Sequence, residues 1–402
     1  MILASDARKI ILGSVQQLPT VELNFREVLG LVCAEDVVAD LDVPSFERSA
    51  MDGYAIRWED IKEACPDTPA KLRAIAEVMA GEPFAGIVGN GEAARIMTGG
   101  KIPSGADTVI EQELVKTTGE NQILIQQAVV RGRNIRMAGE DFSKGTVILR
   151  RGTVLRPASI GILASAGKSN VNVIRKAHVS CLATGDELIE PSEHITDGKI
   201  FNSNAYALEA LTRECGATPN YIGIARDTQH ELREKVEEGL KADVLVTSGG
   251  VSVGKSDLLF DVLDELGVDI KFSKVNIKPG MPFLFGMWRQ TPIFGLPGNP
   301  VSTVVTFLQF VKPALRKMMG LPSDEGKKFS ARMEHEYSKA DGKFHFVRGI
   351  ATQKNGETVV RATASQSSGV LSSLVKGNCL ILIPEDKNVV RAGESVMIES
   401  LE

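Results

Sequence analysis

Three glycine-bearing segments each close a hydrophobic run: Ala183-Thr184-Gly185-Asp186-Glu187-Leu188, Thr247-Ser248-Gly249-Gly250-Val251-Ser252-Val253-Gly254, and Gly295-Leu296-Pro297-Gly298-Asn299-Pro300-Val301-Ser302. Glycine lets backbone N–H groups turn toward a ligand with no Cβ in the way, and Ser and Thr add hydroxyl donors. A helix that follows such a turn adds unsatisfied N–H groups and a positive dipole end. Ser248, Gly249, Gly250 and Ser252, with Pro297, Gly298, Asn299 and Pro300, are therefore candidate contacts for a small phosphate-bearing anion. The G-x-x-x-x-G-K-[ST] spacing of a P-loop is absent.

Carboxylates accompany these turns: Asp186 and Glu187 on the first, Asp227 after the Thr218–Ala225 run, and Asp257 after the second. Acidic groups beside a phosphate cradle repel the ligand unless a divalent cation lies between them. Mg²⁺ suits that place, being held by one or two carboxylates together with ligand oxygens and water. Glu187, Asp227 and Asp257 are the candidate ligands, and helix capping is the competing role for Asp257. Lys274 and Lys278 lie four apart, which on one continuous strand sets both ammonium groups on one face. There they would neutralise a phosphate or an oxyanion, unless the face is simply solvated.

The elements that must position these groups follow from the texture of the chain. Its 402 residues exceed one core, so two to four domains are expected. Between 171 and 322, apolar runs at 178–184, 218–225, 243–247 and 292–296 alternate with helical stretches, the pattern of a doubly wound α/β sheet. Ligands of such sheets sit where strands end, near a reversal of strand order. Residues 323–402 carry five short β-like runs, read as a small barrel or sandwich. Residues 45–140 read as a mostly-β module inserted into a helical N-terminal domain made of 1–44 and 141–170. Ser5 and Asp6 offer N-cap chemistry to a first helix with Ile11, Val15 and Leu18 on its apolar stripe.

Composition excludes several classes. A net charge of -5 without clustered Lys and Arg argues against nucleic acid. The basic stretch Arg131–Arg156 also holds Glu140 and Asp141, and reads as a solvated face. Five singly spread cysteines and five unpaired histidines argue against a disulfide framework, a zinc knuckle or a histidine-ligated metal. No run is long and apolar enough for a membrane span, and the N-terminal stretch is too charged for a signal peptide, so the expectation is a cytoplasmic enzyme.

The glycine turns also stand in a longer collinear series: Ser49-Ala50-Met51-Asp52-Gly53-Tyr54-Ala55, Ile96-Met97-Thr98-Gly99-Gly100, Asn134-Ile135-Arg136 with Gly139-Glu140-Asp141, Lys278-Pro279-Gly280, and Ser365-Gln366-Ser367-Ser368-Gly369. This series resembles the MoeA family of molybdopterin molybdenumtransferases, including gephyrin E-domain-like proteins, over essentially the whole chain. The resemblance implies that adenylylated molybdopterin and molybdate yield the molybdenum cofactor and AMP with Mg²⁺ assistance. It also implies an elongated homodimer, its cleft between the α/β domain of one subunit and the C-terminal β domain of the other, and contact with the molybdopterin adenylyltransferase.

By position in the motifs, the implied functional residues are Asp52, Thr98, Arg136, Asp141, Glu187, Asp227, Asp257, Lys274, Lys278, Pro297, Pro300, Arg348 and Ser365. Asp52 would close the cleft from the partner subunit, or else serve a structural turn. Many members carry a lysine just after the Lys-Pro-Gly turn, where this chain has Met281. The competing readings are a tungstate-preferring paralogue and a non-catalytic scaffold.

Overall fold

The structure, a computed structural model, describes residues 1–251, 258–323 and 328–401. The chain divides into two compact units: 1–22, 30–34 and 172–402 form the first, and 23–29 with 35–171 the second.

The first unit contains a six-stranded sheet in the order Thr218–Ala225, His178–Thr184, Val244–Ser248, Thr291–Leu296, Pro282–Trp288, Asp269–Lys274. The first four strands run parallel and the last two are antiparallel additions at the edge. Val244–Ser248 is buried on both faces, as its unbroken apolar run requires of a central parallel strand. Gln229–Gly239 packs with Leu258–Glu265, and Ser203–Glu214 with Pro300–Thr306. Leu232, Val236, Leu259 and Val262 lie four or fewer residues apart on their helices and meet Leu182, Leu245 and Ile293 of the sheet. Burying each such side chain contributes about 1.5–3 kcal/mol.

Caps set the helix starts. The side chain of Asn202 accepts from the backbone N–H of Ala205 at 3.2 Å, and Thr228 from that of Glu231 at 3.4 Å. The first helix differs from expectation. It spans Ala4–Ser14 with Leu3 at the cap position and no side-chain cap bond. Ser5 and Asp6 thus lie inside the first turn, where Asp6 still complements the dipole. The closing helix runs from Pro300 to Met318 but opens into a π turn at Phe307–Val311. Pro313 is the cause, because it lacks an N–H and its ring crowds the carbonyl four residues back, at Gln309.

The C-terminal strands close a five-membered barrel. Phe344–Lys354, Glu357–Ala362, Lys328–Met333, Ser395–Ser400 and Cys379–Ile383 pair in turn, and the last returns to the first. Val347, Val360, Ile381 and Ile398 fill it. A short strand, Ile277–Lys278, pairs parallel with Phe344–His345 and joins the barrel to the α/β part.

The second unit is built on another six-stranded sheet, in the order Thr108–Glu111, Gly53–Ile56, Glu92–Ile96, Ala70–Val78, Gln122–Ile125, Val115–Gly119. Neighbouring residues alternate between two cores. Ile56, Ala93 and Ile110 enter one, and Ala55, Ala94 and Val109 the other. Pro157 opens the Pro157–Ser165 helix, as its fixed φ favours.

One ion pair anchors the entry to the α/β sheet. Arg175 donates two hydrogen bonds of 2.6 Å to the carboxylate of Asp243, which also accepts from His178 N–H at 2.9 Å. Burial works to raise the Asp243 carboxyl, but the Arg175 and His178 hydrogen bonds and the guanidinium charge together hold it below its ordinary value. A depressed native carboxyl stabilises the fold above the unfolded-state value near 3.9, and that stability is lost as pH falls through the native value. Asp243→Asn is therefore expected to cost about 2 kcal/mol at pH 7 and progressively less below about pH 4, measured by urea unfolding across pH.

Candidate active site

Strand order decides where a ligand can sit. His178–Thr184 has the next strand of its sheet, Thr218–Ala225, on one side and Val244–Ser248 on the other, so the winding reverses there. A cavity of about 680 Å³ opens at that point, lined by Thr184, Gly185, Ser248, Gly249, Pro297 and Gly298 among others. The three glycine turns expected from the sequence thus end side by side. Two bonds join them: Thr184 Oγ1 donates to Ser248 O at 3.5 Å, and Gly249 N–H to Leu296 O at 3.0 Å.

Gly249 and Gly250 hold φ of +96° and +69°. A Cβ at Gly249 would stand 2.6 Å from Thr184 O and 2.7 Å from Thr184 Oγ1, so the turn exists only because the residue is glycine.

Gly250, Asn299 and Pro300 also line this cavity, together with both carboxylates Glu187 and Asp227. Ser252 and Asp257 lie outside the described residues. Asp186 and Asp227 brace each other, since Asp227 N–H donates to Asp186 Oδ1 at 3.1 Å and Asp186 N–H to Asp227 Oδ2 at 3.4 Å. The nearby cations are committed to the same turn. Arg226 Nη1 donates to the carbonyls of Gly185, Asp186 and Leu188, and Lys199 Nζ to that of Asp186. Among the described lining residues the charged side chains are thus acidic, the environment in which a polyanionic ligand needs a divalent cation. No group of three or more His, Cys, Asp or Glu gathers as a metal cage among the described residues. Two carboxylates and a ligand's own oxygens suit Mg²⁺ without one.

A second cavity, of about 440 Å³, adjoins the first and shares Pro282, Pro297 and Asn299 with it. Lys278 and the Pro279–Met281 turn form one wall, and Lys343, Gln366, Ser367 and Ser368 of the barrel form the other. Val301 N–H donates to Ser368 O at 3.1 Å, which fixes the barrel loop to the start of the closing helix. Both walls belong to one chain.

Lys274 and Lys278 do not share a strand face. The strand breaks at Val275, whose N–H donates to Met281 O, while Ile277 N–H turns back to Val275 O. Lys274 ends the edge of the α/β sheet, Lys278 pairs with the barrel, and only Lys278 lines either cavity.

Arg348 and Ser365 stand behind the wall of the second cavity. Arg348 is 1% exposed. Its guanidinium donates to Ser373 Oγ and to the carbonyls of Ser365 and Ser367 at 3.2, 3.4 and 3.1 Å. Burial lowers its proton affinity, yet three oxygens receive it, and the loop it holds presents Ser367 and Ser368.

In the second unit, Asp52 and Thr98 meet although 46 positions apart, with Asp52 Oδ1 accepting from Thr98 N–H and Oγ1 at 2.7 Å each. The Thr98 hydroxyl and N–H hold the Asp52 carboxyl below its ordinary value. Arg48–Ser49 pairs with Ile135–Arg136, and Ser49 N–H donates to Gly100 O, so three separated motifs converge. Arg136 Nη1 bonds Glu140 at 2.8 Å, and Asp141 N–H donates to Val43 O.

Sequence reasoning missed Asn204 and Lys343. Asn204 Nδ2 donates to Ser248 Oγ and Gly298 O, both at 2.8 Å, which locks two of the turns together. Its signal was the Asn202-Ser203-Asn204 string at a helix start. Lys343 Nζ lies 3.6 Å from Met281 Sδ, so an ammonium reaches the residue that follows the Lys278-Pro279-Gly280 turn. Nothing local in the sequence joins 281 to 343.

A mostly parallel sheet with a glycine-lined cavity at its switch point, a five-stranded barrel and a separate β-rich unit define a multidomain α/β protein. Family models match as the MoeA N-terminal region (domains I and II) at 2–167, a probable molybdopterin binding domain at 180–317, and the MoeA C-terminal region (domain IV) at 330–401. The chain is 38% identical to a molybdopterin molybdenumtransferase of Haemophilus influenzae, over 96% of each chain. It is 35% identical to one of Nostoc, over 92% of this chain and 86% of that one. A crystal structure of a molybdopterin biosynthesis MoeA protein from Pyrococcus horikoshii superposes with a TM-score of 0.85 at 31% identity, covering 100% of this chain and 99% of that one. The chain belongs to the MoeA family.

Proposed function

We propose that this chain inserts molybdenum from molybdate into adenylylated molybdopterin and releases AMP, the last step of molybdenum cofactor biosynthesis. The observation that carries it is the pair of adjoining cavities with opposite charge. One is a glycine cradle with carboxylates, and the other is a pocket walled by Lys278 and Lys343, sharing Pro282, Pro297 and Asn299. The pyrophosphate is assigned to the Gly250 N–H and the turn around it, and the tetrahedral dianion to Lys278, Lys343 and the Ser367–Ser368 loop. Lys343 takes the part that Met281 leaves open. Mg²⁺ held by Glu187 and Asp227, with Asp257 as the third candidate, would neutralise the charge that develops on the phosphates. Asp52, Thr98, Arg136, Asp141, Arg348 and Ser365 are carried as substrate-side or positioning groups, and Lys274 as a more distant cation.

The same proposal includes a homodimer, a cytoplasmic location, contact with the molybdopterin adenylyltransferase, and four parts at 1–44 with 141–170, 45–140, 171–322 and 323–402. The separate cores of the two six-stranded sheets and the barrel support that division. No helix among the described residues is long and apolar enough to cross a membrane.

The deciding experiment incubates purified protein with adenylylated molybdopterin, Mg²⁺ and molybdate. AMP should appear in proportion to active cofactor, and chelation of the metal should cut the rate by about a thousandfold. AMP release that ignores molybdate, or none at all, would overturn the assignment. Tungstate competition in the same assay separates the tungstate-preferring alternative.

A further inference from the structure

Four side chains run from the barrel to the mouth of the second cavity. Tyr337 Oη lies 2.8 Å from His345 Nδ1, His345 Nε2 lies 2.7 Å from Asp341 Oδ1, and Lys278 Nζ lies 3.3 Å from Asp341 Oδ2. His345 is 3% exposed, whereas the Lys278 side chain is 60% exposed. Donor and acceptor roles follow from the chemistry. Burial works to raise the Asp341 carboxyl, but His345, Lys278 and the Lys343 N–H bring it down to about 2, so it only accepts. The proton of Nε2 therefore points to Asp341. Burial also keeps the imidazole neutral, which leaves Nδ1 to accept from the Tyr337 hydroxyl. Every polar atom in the series has one defined role.

An exposed Lys–Asp pair alone contributes little, because both side chains lose freedom to meet. Here the carboxylate is already fixed from behind by a buried imidazole, so that loss falls on the lysine alone. Lys343 belongs to the same loop, and its backbone N–H donates to Asp341 Oδ1 at 3.4 Å.

We propose that Tyr337, His345 and Asp341 are positioning residues that pin the Lys278 ammonium at the oxyanion cavity. The assignment of an oxyanion to that cavity is the reading given above; the pinning itself can be measured without it. Reductive methylation followed by peptide mass spectrometry reports how freely the Lys278 amine reacts. Asp341→Asn and His345→Leu should each speed labelling of Lys278 about fivefold, while His345→Gln, which keeps an N–H donor, should stay within about twofold of the parent chain. Unchanged labelling in Asp341→Asn would overturn the proposal, and that variant, on an exposed loop, serves if His345→Leu does not fold. AMP binding to the first cavity checks that each variant keeps its structure.

In kinetics, Asp341→Asn should raise KM for molybdate about tenfold with a smaller change in kcat, and should add nothing on a Lys278→Ala background. A lowered KM would overturn the proposal, because Asp341 would then be competing with the anion. If labelling responds while the parent chain shows no molybdate dependence, the relay stands and the oxyanion assignment fails.

Discussion

Gly249→Ala is expected to weaken binding of an adenylylated ligand at least about a hundredfold, equivalent to about 2.7 kcal/mol. Two independent costs converge on this position. The backbone sits at φ +96°, a region that side chains with a Cβ rarely adopt. The new methyl would also lie 2.6 Å from a backbone carbonyl, Thr184 O, which cannot swing aside as a flexible side chain could. The turn must therefore move away from His178–Thr184, which breaks the Gly249 N–H bond to Leu296 O and carries the Gly250 N–H out of place. Isothermal titration with AMP measures the loss, with circular dichroism to confirm the fold. A useful contrast is Gly161→Ala, in the middle of the Pro157–Ser165 helix with no atom within 4 Å of the added Cβ. That change should raise stability by about 0.5–1 kcal/mol and leave AMP binding alone. Near-normal AMP affinity in Gly249→Ala would show that the glycine turn is not the cradle.

The contrast shows which parts of the site a sequence exposes. The glycine turns are legible because their chemistry is local: an apolar run, then residues without Cβ, then a helix start. The carboxylates of the first turn share that locality, and Thr228 announces its helix by capping chemistry. The C-terminal runs were legible as a small barrel or sandwich, but which strands close the ring was not, since the pairing of Phe344–Lys354 with Cys379–Ile383 is long-range. The Lys274–Lys278 spacing misled for the same reason. Period-two logic holds only along an unbroken strand, and the break at Val275 depends on a bond to Met281 O, six residues on. Arg348 stood in a motif but not in a cavity, because sequence position says nothing about whether a guanidinium faces a ligand or holds the loop that does. The links from Lys343 to Met281 and from Asp341 to Lys278 were invisible, as they require the start of the Phe344–Lys354 strand to be laid against Ile277–Lys278.

Lys278→Ala is expected to lower kcat/KM for the oxyanion by about a hundredfold, against about tenfold for Lys343→Ala. Both ammonium groups line the same cavity, so a simple charge count predicts equal losses. Their partners differ. Lys278 is held at 3.3 Å by a carboxylate that His345 fixes, so its charge is in place before the anion arrives. Lys343 meets a thioether at 3.6 Å, a weak acceptor, and must give up more side-chain freedom when an anion binds. Preorganised charge is worth more to a transition state than charge that must be gathered. Lys278→Arg should recover only part of the loss, because a planar fork does not reproduce a compact ammonium at a tetrahedral anion. Steady-state rates with molybdate varied at saturating adenylylated molybdopterin give the comparison. Equal losses in the two alanine variants would mean that the cavity reads net charge alone, and that the carboxylate behind Lys278 adds nothing to it.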